Sequence, residues 1–310
     1  MQHVFSASDI IKKFAPEIIR IIGNVDAKFD TSCSVNDVLP NSIIWLNTAL
    51  FKSFISSDKT NRVSVIITDC DEALDLTTKP ELCVIVAKKS KLLYIECLKY
   101  FFEIKPVPGI HSTAFISPNA IIGENVYVGP FCYIGNNTSV GDNCVLEGNN
   151  FIYDNVHIGK RVILQAGVVV GSRGMSLARK EDNSLVAFPC LGKVLIEDDV
   201  EIGSNSTIDQ SILEQTIIGR GTIVNSLVFI GNSVKLGKNN FVAGGVNING
   251  SVQIGDNNFI GSGSTIRNKI IIGSENTIGA GAVVVKNIEN KATVMGNPAK
   301  ESSKSKGVKL

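Results

Sequence analysis

Three histidines, seven cysteines and a spread of carboxylates are the residues of this 310-residue chain that could do acid–base, nucleophilic or metal chemistry. His3, His111 and His157 lie far apart, with none paired at metal-ligand spacing, and for each an ordinary structural role outweighs a catalytic one. Cys33, Cys70, Cys83, Cys97, Cys132, Cys144 and Cys190 are odd in number and form no C-x-x-C pair. Reduced, buried or half-buried thiols therefore outweigh a metal or disulfide framework. No P-loop is present, and no G-x-G-x-x-G opens a helix after a strand, so ordinary nucleotide folds have no support. The chain offers no obvious catalytic base, no metal site and no signature of a permanently bound cofactor.

Composition narrows the field further. Thirty basic residues against 29 acidic leave a formal net charge of +1, without the basic excess usual in nucleic-acid binders. With 44% apolar residues the chain can bury a core, so disorder is excluded. Asp9, Lys12 and Lys13 interrupt what would be the apolar core of a signal peptide, and no stretch approaches the roughly 18 apolar residues of a membrane span. A cytoplasmic protein is expected.

The elements that must position any site come from one dominant period. From Ile110 an apolar residue recurs every six positions through Val170, resumes at Ile196, Ile202 and Ile208, and runs again from Ile218 to Val284. These 26 hexads match neither helix nor ordinary strand periodicity. Six residues per side is the signature of a parallel β-helix, with the branched residue pointing inward; at three sides per coil the hexads make eight to nine coils. Gly follows the inward residue repeatedly, as at Gly123, Gly129, Gly141 and Gly255, and Asn or Asp often comes next, so positive φ is expected at these corners. Two interruptions break the period, 172–193 and 209–216, and insertions of this kind often carry binding function.

Residues 1–105 lack the hexads. Ser6 or Ser8 caps a short helix through Phe14, Arg62 to Thr68 and Leu82 to Ala87 read as strands, and Lys91 to Phe102 reads as a helix. Pro106, Pro108 and Gly109 mark the boundary. The expected organisation is mainly β: a small α/β domain at 1–105, a parallel β-helix at 106–290, and a C-terminal tail at 291–310.

Hexads of this kind, preceded by a domain of this size, resemble the left-handed β-helix acyltransferases, and within them the UDP-3-O-acylglucosamine N-acyltransferases. Matching segments include Val169-Val170-Gly171-Ser172-Arg173-Gly174, Lys193-Val194-Leu195-Ile196, Val200-Glu201-Ile202-Gly203, Thr207-Ile208-Asp209, Thr216-Ile217-Ile218-Gly219 and Val242-Ala243-Gly244-Gly245-Val246. The resemblance covers roughly residues 5–285. It implies a left-handed coil, a homotrimer with active sites between adjacent β-helices, and transfer of an acyl group from a thioester to a UDP-linked amino sugar. Two aromatic residues sandwich uracil in that family, and Trp45 and Phe51 stand at the corresponding places, with Asn47 near enough to read the edge of the base.

The departures from the family matter as much. Its general-base His is replaced by Asn232 in Phe229-Ile230-Gly231-Asn232, and a second His corresponds to Lys269. Helices that engage acyl carrier protein are missing from the C-terminal segment, which instead reads Val294-Met295-Gly296-Asn297-Pro298-Ala299-Lys300, resembling the ending of coenzyme A-dependent hexapeptide acetyltransferases. Asn232 is expected to orient the amine, the N–H of Gly250 (or Gly244) to face the oxyanion, and Arg173 and Arg179 to meet donor phosphates. Three readings stay open: an N-acyltransferase using acyl-coenzyme A, the lipid A enzyme using acyl carrier protein, and a non-catalytic sugar-nucleotide-binding trimer.

Overall fold

A computed structural model describes residues 3–72, 76 and 79–301. The chain forms two compact units, Met1–Lys105 and Pro106–Leu310. In the first, a five-stranded mixed sheet is built around the parallel strands Ser42–Leu46, Val63–Thr68 and Cys83–Ala87, with Ile18–Gly23 antiparallel at one edge. Its central strands are buried on both faces, as their unbroken runs of β-branched residues require. Helix Ala7–Phe14 is capped by Ser6 and Asp9 in a reciprocal pair, and helix Ser90–Phe101 packs on the sheet.

The second unit is a β-helix. Short strands, mostly of two residues, stack into three sheets of eight, eleven and nine members; nearly all pairs are parallel, with partners typically 18 residues apart. Three hexads thus make one coil. Inward residues such as Ile134, Leu146, Ile202, Ile230, Ile248 and Ile266 are fully buried in one continuous core. Ile110 is 55% exposed, because the first coil has no coil beneath it.

A second interior stripe lies two residues before each inward position. Val126, Cys132, Cys144, Val162, Val200, Val234 and Val252 occupy it, and so do Asn240, Asn258 and Asn276. The interior is filled by two residues per side rather than one, which explains the burial of Cys132 and Cys144. Burial pushes the thiol of Cys144 up to about 11, and those of Cys83 and Cys97 to about 12, so these groups stay neutral and inert.

The corner glycines work differently from the sequence expectation. Gly141 does not adopt positive φ; a Cβ there would come within 2.6 Å of the carbonyl oxygen of Gly159 on the next coil. Positive φ falls three residues after the inward side chain, at Asn125, Asn137, Asn143, Asn239 and Asn257, among others. The glycine is selected by coil spacing and the asparagine by backbone conformation.

Both interruptions are built structures. The longer carries an antiparallel hairpin pairing Leu177–Arg179 with Leu185–Ala187. At the other end, Thr293–Met295 continues the ladder beyond Thr277–Ile278, and Val294 is buried, so the expected tail begins later than residue 291. The rest of that tail, 302–310, lies outside the described residues.

Candidate active site

The two insertions leave from the ends of two neighbouring strands in the middle of the nine-stranded sheet. Strand Val169–Arg173 pairs with Thr207–Gln210, and the register slips between Val170 and Ser172, leaving Gly171 (φ 85°) as the extra residue of a bulge. Bulges re-aim side chains. Here the bulge sets Ser172 against Asp209 and Arg173 against Gln210. The longer loop is fastened to the shorter by Gln210 Nε2 donating to the carbonyl of Gly192 (2.6 Å) and Leu191 N donating to that of Ile212 (2.8 Å). Cys190 Sγ donates to the carbonyl of Gly174 (3.0 Å), holding the two ends of the loop together.

Asn232 sits on the coil next to Gln210, half-buried under this loop. A Cβ on Gly174 would come within 2.6 Å of Asn232 Cβ, and one on Gly250 within 2.8 Å of Asn232 Oδ1. Gly174, Asn232 and Gly250 therefore line one narrow column, and both glycines are needed to leave the carboxamide room. Lys269 follows one coil further on, exposed at a corner with φ 61°, its N–H donating to the carbonyl of Gly250 (3.1 Å).

At many equivalent corners the N–H one residue past the glycine position is capped by a side chain of a neighbouring coil. Asn136 N donates to Asp154, Lys160 N to Asp198 and Lys238 N to Asp256. Gly250 N has no such partner among the described residues, so its donor is available.

The expected donor arginines are not brought together on one target. Arg179 donates to the carbonyl of Asn183 (2.7 Å) and braces its own hairpin turn. Arg173, at the end of its strand, is exposed.

In the first unit the expected uracil sandwich does not form. Alternation along Ser42–Leu46 sends Trp45, with Ile43, to one face of the sheet, and Ile44 and Leu46 to the other, where Phe51 packs. Phe51 is only 1% exposed and is a core residue. Trp45 is half-buried, its indole Nε1 donating to Ser90 Oγ (2.9 Å). Asn47 is the N-cap of helix Thr48–Ile55, its Oδ1 accepting from Leu50 N (2.9 Å), so its side chain is committed to the helix start through that oxygen.

Asp209 ends the matching segment Thr207-Ile208-Asp209 and opens the shorter interruption, but the sequence gives it no chemical role. It is the only charged side chain in the buried set among the described residues, 8% exposed, and Ser172 Oγ donates to its Oδ1 at 2.6 Å. Burial raises its pKa, against the lowering effect of the Ser172 hydrogen bond. A signal was present: Asp209 follows the inward Ile208 where Gly203 follows Ile202 and Gly231 follows Ile230. An acid in a glycine corner needs a reason.

Comparison with known proteins agrees with this architecture. The bacterial transferase hexapeptide model (six repeats) matches residues 113–153, 137–172 and 251–286. UDP-3-O-acylglucosamine N-acyltransferase of Coxiella burnetii is 31% identical over 240 residues, covering 71% of this chain and 68% of that protein. The Francisella tularensis subsp. holarctica protein of the same name is 45% identical over 75 residues, 24% of this chain and 22% of its own. Among solved structures, the UDP-N-acetylglucosamine acyltransferases of Bacteroides fragilis and Francisella novicida each superpose with a TM-score of 0.57. They are 26% and 27% identical, and each covers 63% of this chain, with 74% and 69% of their own lengths covered.

Proposed function

Since the chain belongs to the UDP-3-O-acylglucosamine N-acyltransferase family, we propose that it transfers an acyl group from a thioester to the amine of a UDP-linked amino sugar in lipid A type biosynthesis. The observation that carries the reading is the column of Gly174, Asn232 and Gly250 beneath the long insertion, in a chain with this relative. Asn232 takes the place of the family's His. A general base typically contributes about 10² to 10⁴-fold, and a hydroxyl nucleophile depends on one heavily. A sugar amine is partly neutral near pH 7 and attacks a thioester before losing its proton, so an amide there is compatible with N-acylation. The Asn232 carboxamide orients the amine, and the free N–H of Gly250 faces the carbonyl oxygen as negative charge develops on it.

The donor is a pantetheine-linked thioester. Coenzyme A is put first, on the sequence of the segment Val294–Lys300, and acyl carrier protein second. Arg173 and Lys269, both exposed, are the cations offered to phosphate groups. Trp45 offers an aromatic surface to the uracil without Phe51 as its partner. The assembly is a homotrimer with three equivalent sites.

The test is incubation with UDP-linked amino sugars and either acyl-coenzyme A or acyl-acyl carrier protein, with mass detection of the amide. Product with either donor supports acyl transfer, and product only from acyl carrier protein reverses the order of donors. Missing family histidines favour one other reading, a non-catalytic binder. Uridine-nucleotide binding with no product from any donor would establish it.

A further inference from the structure

Resting on this acyl-transfer reading, the geometry points to Asp209 as the proton acceptor of the reaction, with Ser172 as the residue that positions it. A carboxylate buried this deeply is normally paired with a cation. Asp209 forms no ion pair among the described residues, and its one hydrogen-bond partner is neutral. Of the residues around it on the two flanking rungs, Ser172, Gln210, Gly231 and Asn232 carry no charge, and Arg173 lies opposite Gln210 rather than Asp209. Glu214, on the short insertion, is exposed and pairs with Lys235 (3.2 Å).

The two carboxylate oxygens have different situations. Oδ1 is held by Ser172 Oγ. Among the described residues Oδ2 accepts no hydrogen bond, and it is not one of the side-chain atoms sealed from solvent without a partner, which are Ser264 Oγ and Asn276 Nδ2. One oxygen is fixed and the other reaches the surface. The bulge at Gly171 creates this arrangement, since it turns Ser172 toward Asp209. The carboxylate opens one coil from Asn232, where the family's base is absent. Its desolvation strengthens it as a base near neutral pH, because a proton acceptor works best when its pKa approaches the working pH.

The step balances without any further reagent. The amine nitrogen bonds to the thioester carbonyl carbon, and the carbonyl electron pair moves to oxygen. Oδ2 takes the proton from nitrogen. Collapse of the intermediate breaks the C–S bond, and the proton passes from Oδ2 to the departing thiolate, leaving amide, thiol and an ionised Asp209.

The deciding experiment compares the full-length wild type with Asp209→Asn, whose side-chain oxygen still accepts from Ser172 but whose amide takes no proton. The expected result is a fall in kcat of about 10² to 10³-fold, a KM for the UDP-amino sugar within a few-fold of wild type, and loss of the acidic limb of the pH profile. A variant keeping more than about a third of the wild-type kcat with the acidic limb intact overturns the assignment of a proton-transfer role. Carbon-13 NMR titration of the aspartate carboxyls gives a readout that needs no turnover. One carboxyl, lost in Asp209→Asn, should titrate above the ordinary aspartate value of about 3.9, and its titration at or below that value overturns the proposal. A wild type that acylates no UDP-sugar amine with either donor overturns the acyl-transfer reading and this step with it; turnover together with an indifferent Asp209→Asn overturns this step alone.

Discussion

Asp209 holds its charge in a place that penalises charge, and that has a thermodynamic consequence separate from catalysis. Its folded pKa lies above the unfolded value. The unfolded chain therefore releases this proton first as pH rises, and the stability tied to the protonated form is present below about pH 4 and lost as pH climbs through the folded pKa. Asp209→Asn should accordingly melt above wild type at pH 8, with the gap closing near pH 3.5; equal melting temperatures at both pH values would contradict the burial argument. Asn232 is tested differently. Asn232→Ala removes the carboxamide from the column between Gly174 and Gly250 and should lower kcat by about tenfold or more, whereas unchanged turnover on the acylated substrate would remove its catalytic role. Trp45 is the chain's one tryptophan, so intrinsic fluorescence reports on it directly. Added UDP should quench that emission, and no change at millimolar UDP would take the base-stacking role away.

At the scale of elements, the corner and the interior ladder carry the energetics. A methyl added at Gly174 would lie 2.6 Å from Asn232 Cβ and 3.1 Å from the carbonyl oxygen of Gln210. Gly174→Ala must push the long insertion off its seat, at a cost of about 1–3 kcal/mol for overpacking. Denaturant titration should register that loss together with a fall in activity. The asparagine ladder is an independent case. Asn258 Nδ2 donates to Asn240 Oδ1 (2.9 Å) and to the carbonyl of Gly255 (3.0 Å), while its Oδ1 accepts from Asn276 N (2.8 Å). Asn258→Ala takes away the partner of the buried Asn276 N–H, while Asn240 Oδ1 keeps the bond from the backbone N–H of residue 258 (2.8 Å), so a loss of about 1–3 kcal/mol is expected from chemical unfolding. Because each coil contacts only its neighbours, that loss should be felt first in the coils around residues 240–276, and hydrogen exchange would localise it there.

For the whole molecule, the homotrimer is the expectation with the most direct check: sedimentation at micromolar concentration should return three times the 33.2 kDa chain mass, and a monomer would remove the basis for sites shared between copies. Much of the architecture was legible beforehand because a solenoid writes its coil length into the sequence. Each inward Ile or Val, each corner Gly and each Asn at positive φ answers a local requirement repeated every six residues, so periodicity alone predicted the β-helix and both interruptions. Local pattern also predicted a cap at Ser6 or Ser8, of which Ser6 is the one formed, and the strands Val63–Thr68 and Cys83–Ala87 of the first unit. It could not decide which side chains meet at a separation of 37 positions, as Ser172 and Asp209 do, since that depends on a one-residue register slip. Nor could it tell that Trp45 and Phe51, six residues apart, belong to opposite faces of a sheet, because a strand and a helix turn lie between them. The repeat was determined by sequence because its forces act between neighbouring residues and identical coils; the site was decided by tertiary structure because burial, register and desolvation exist only once the coils have stacked.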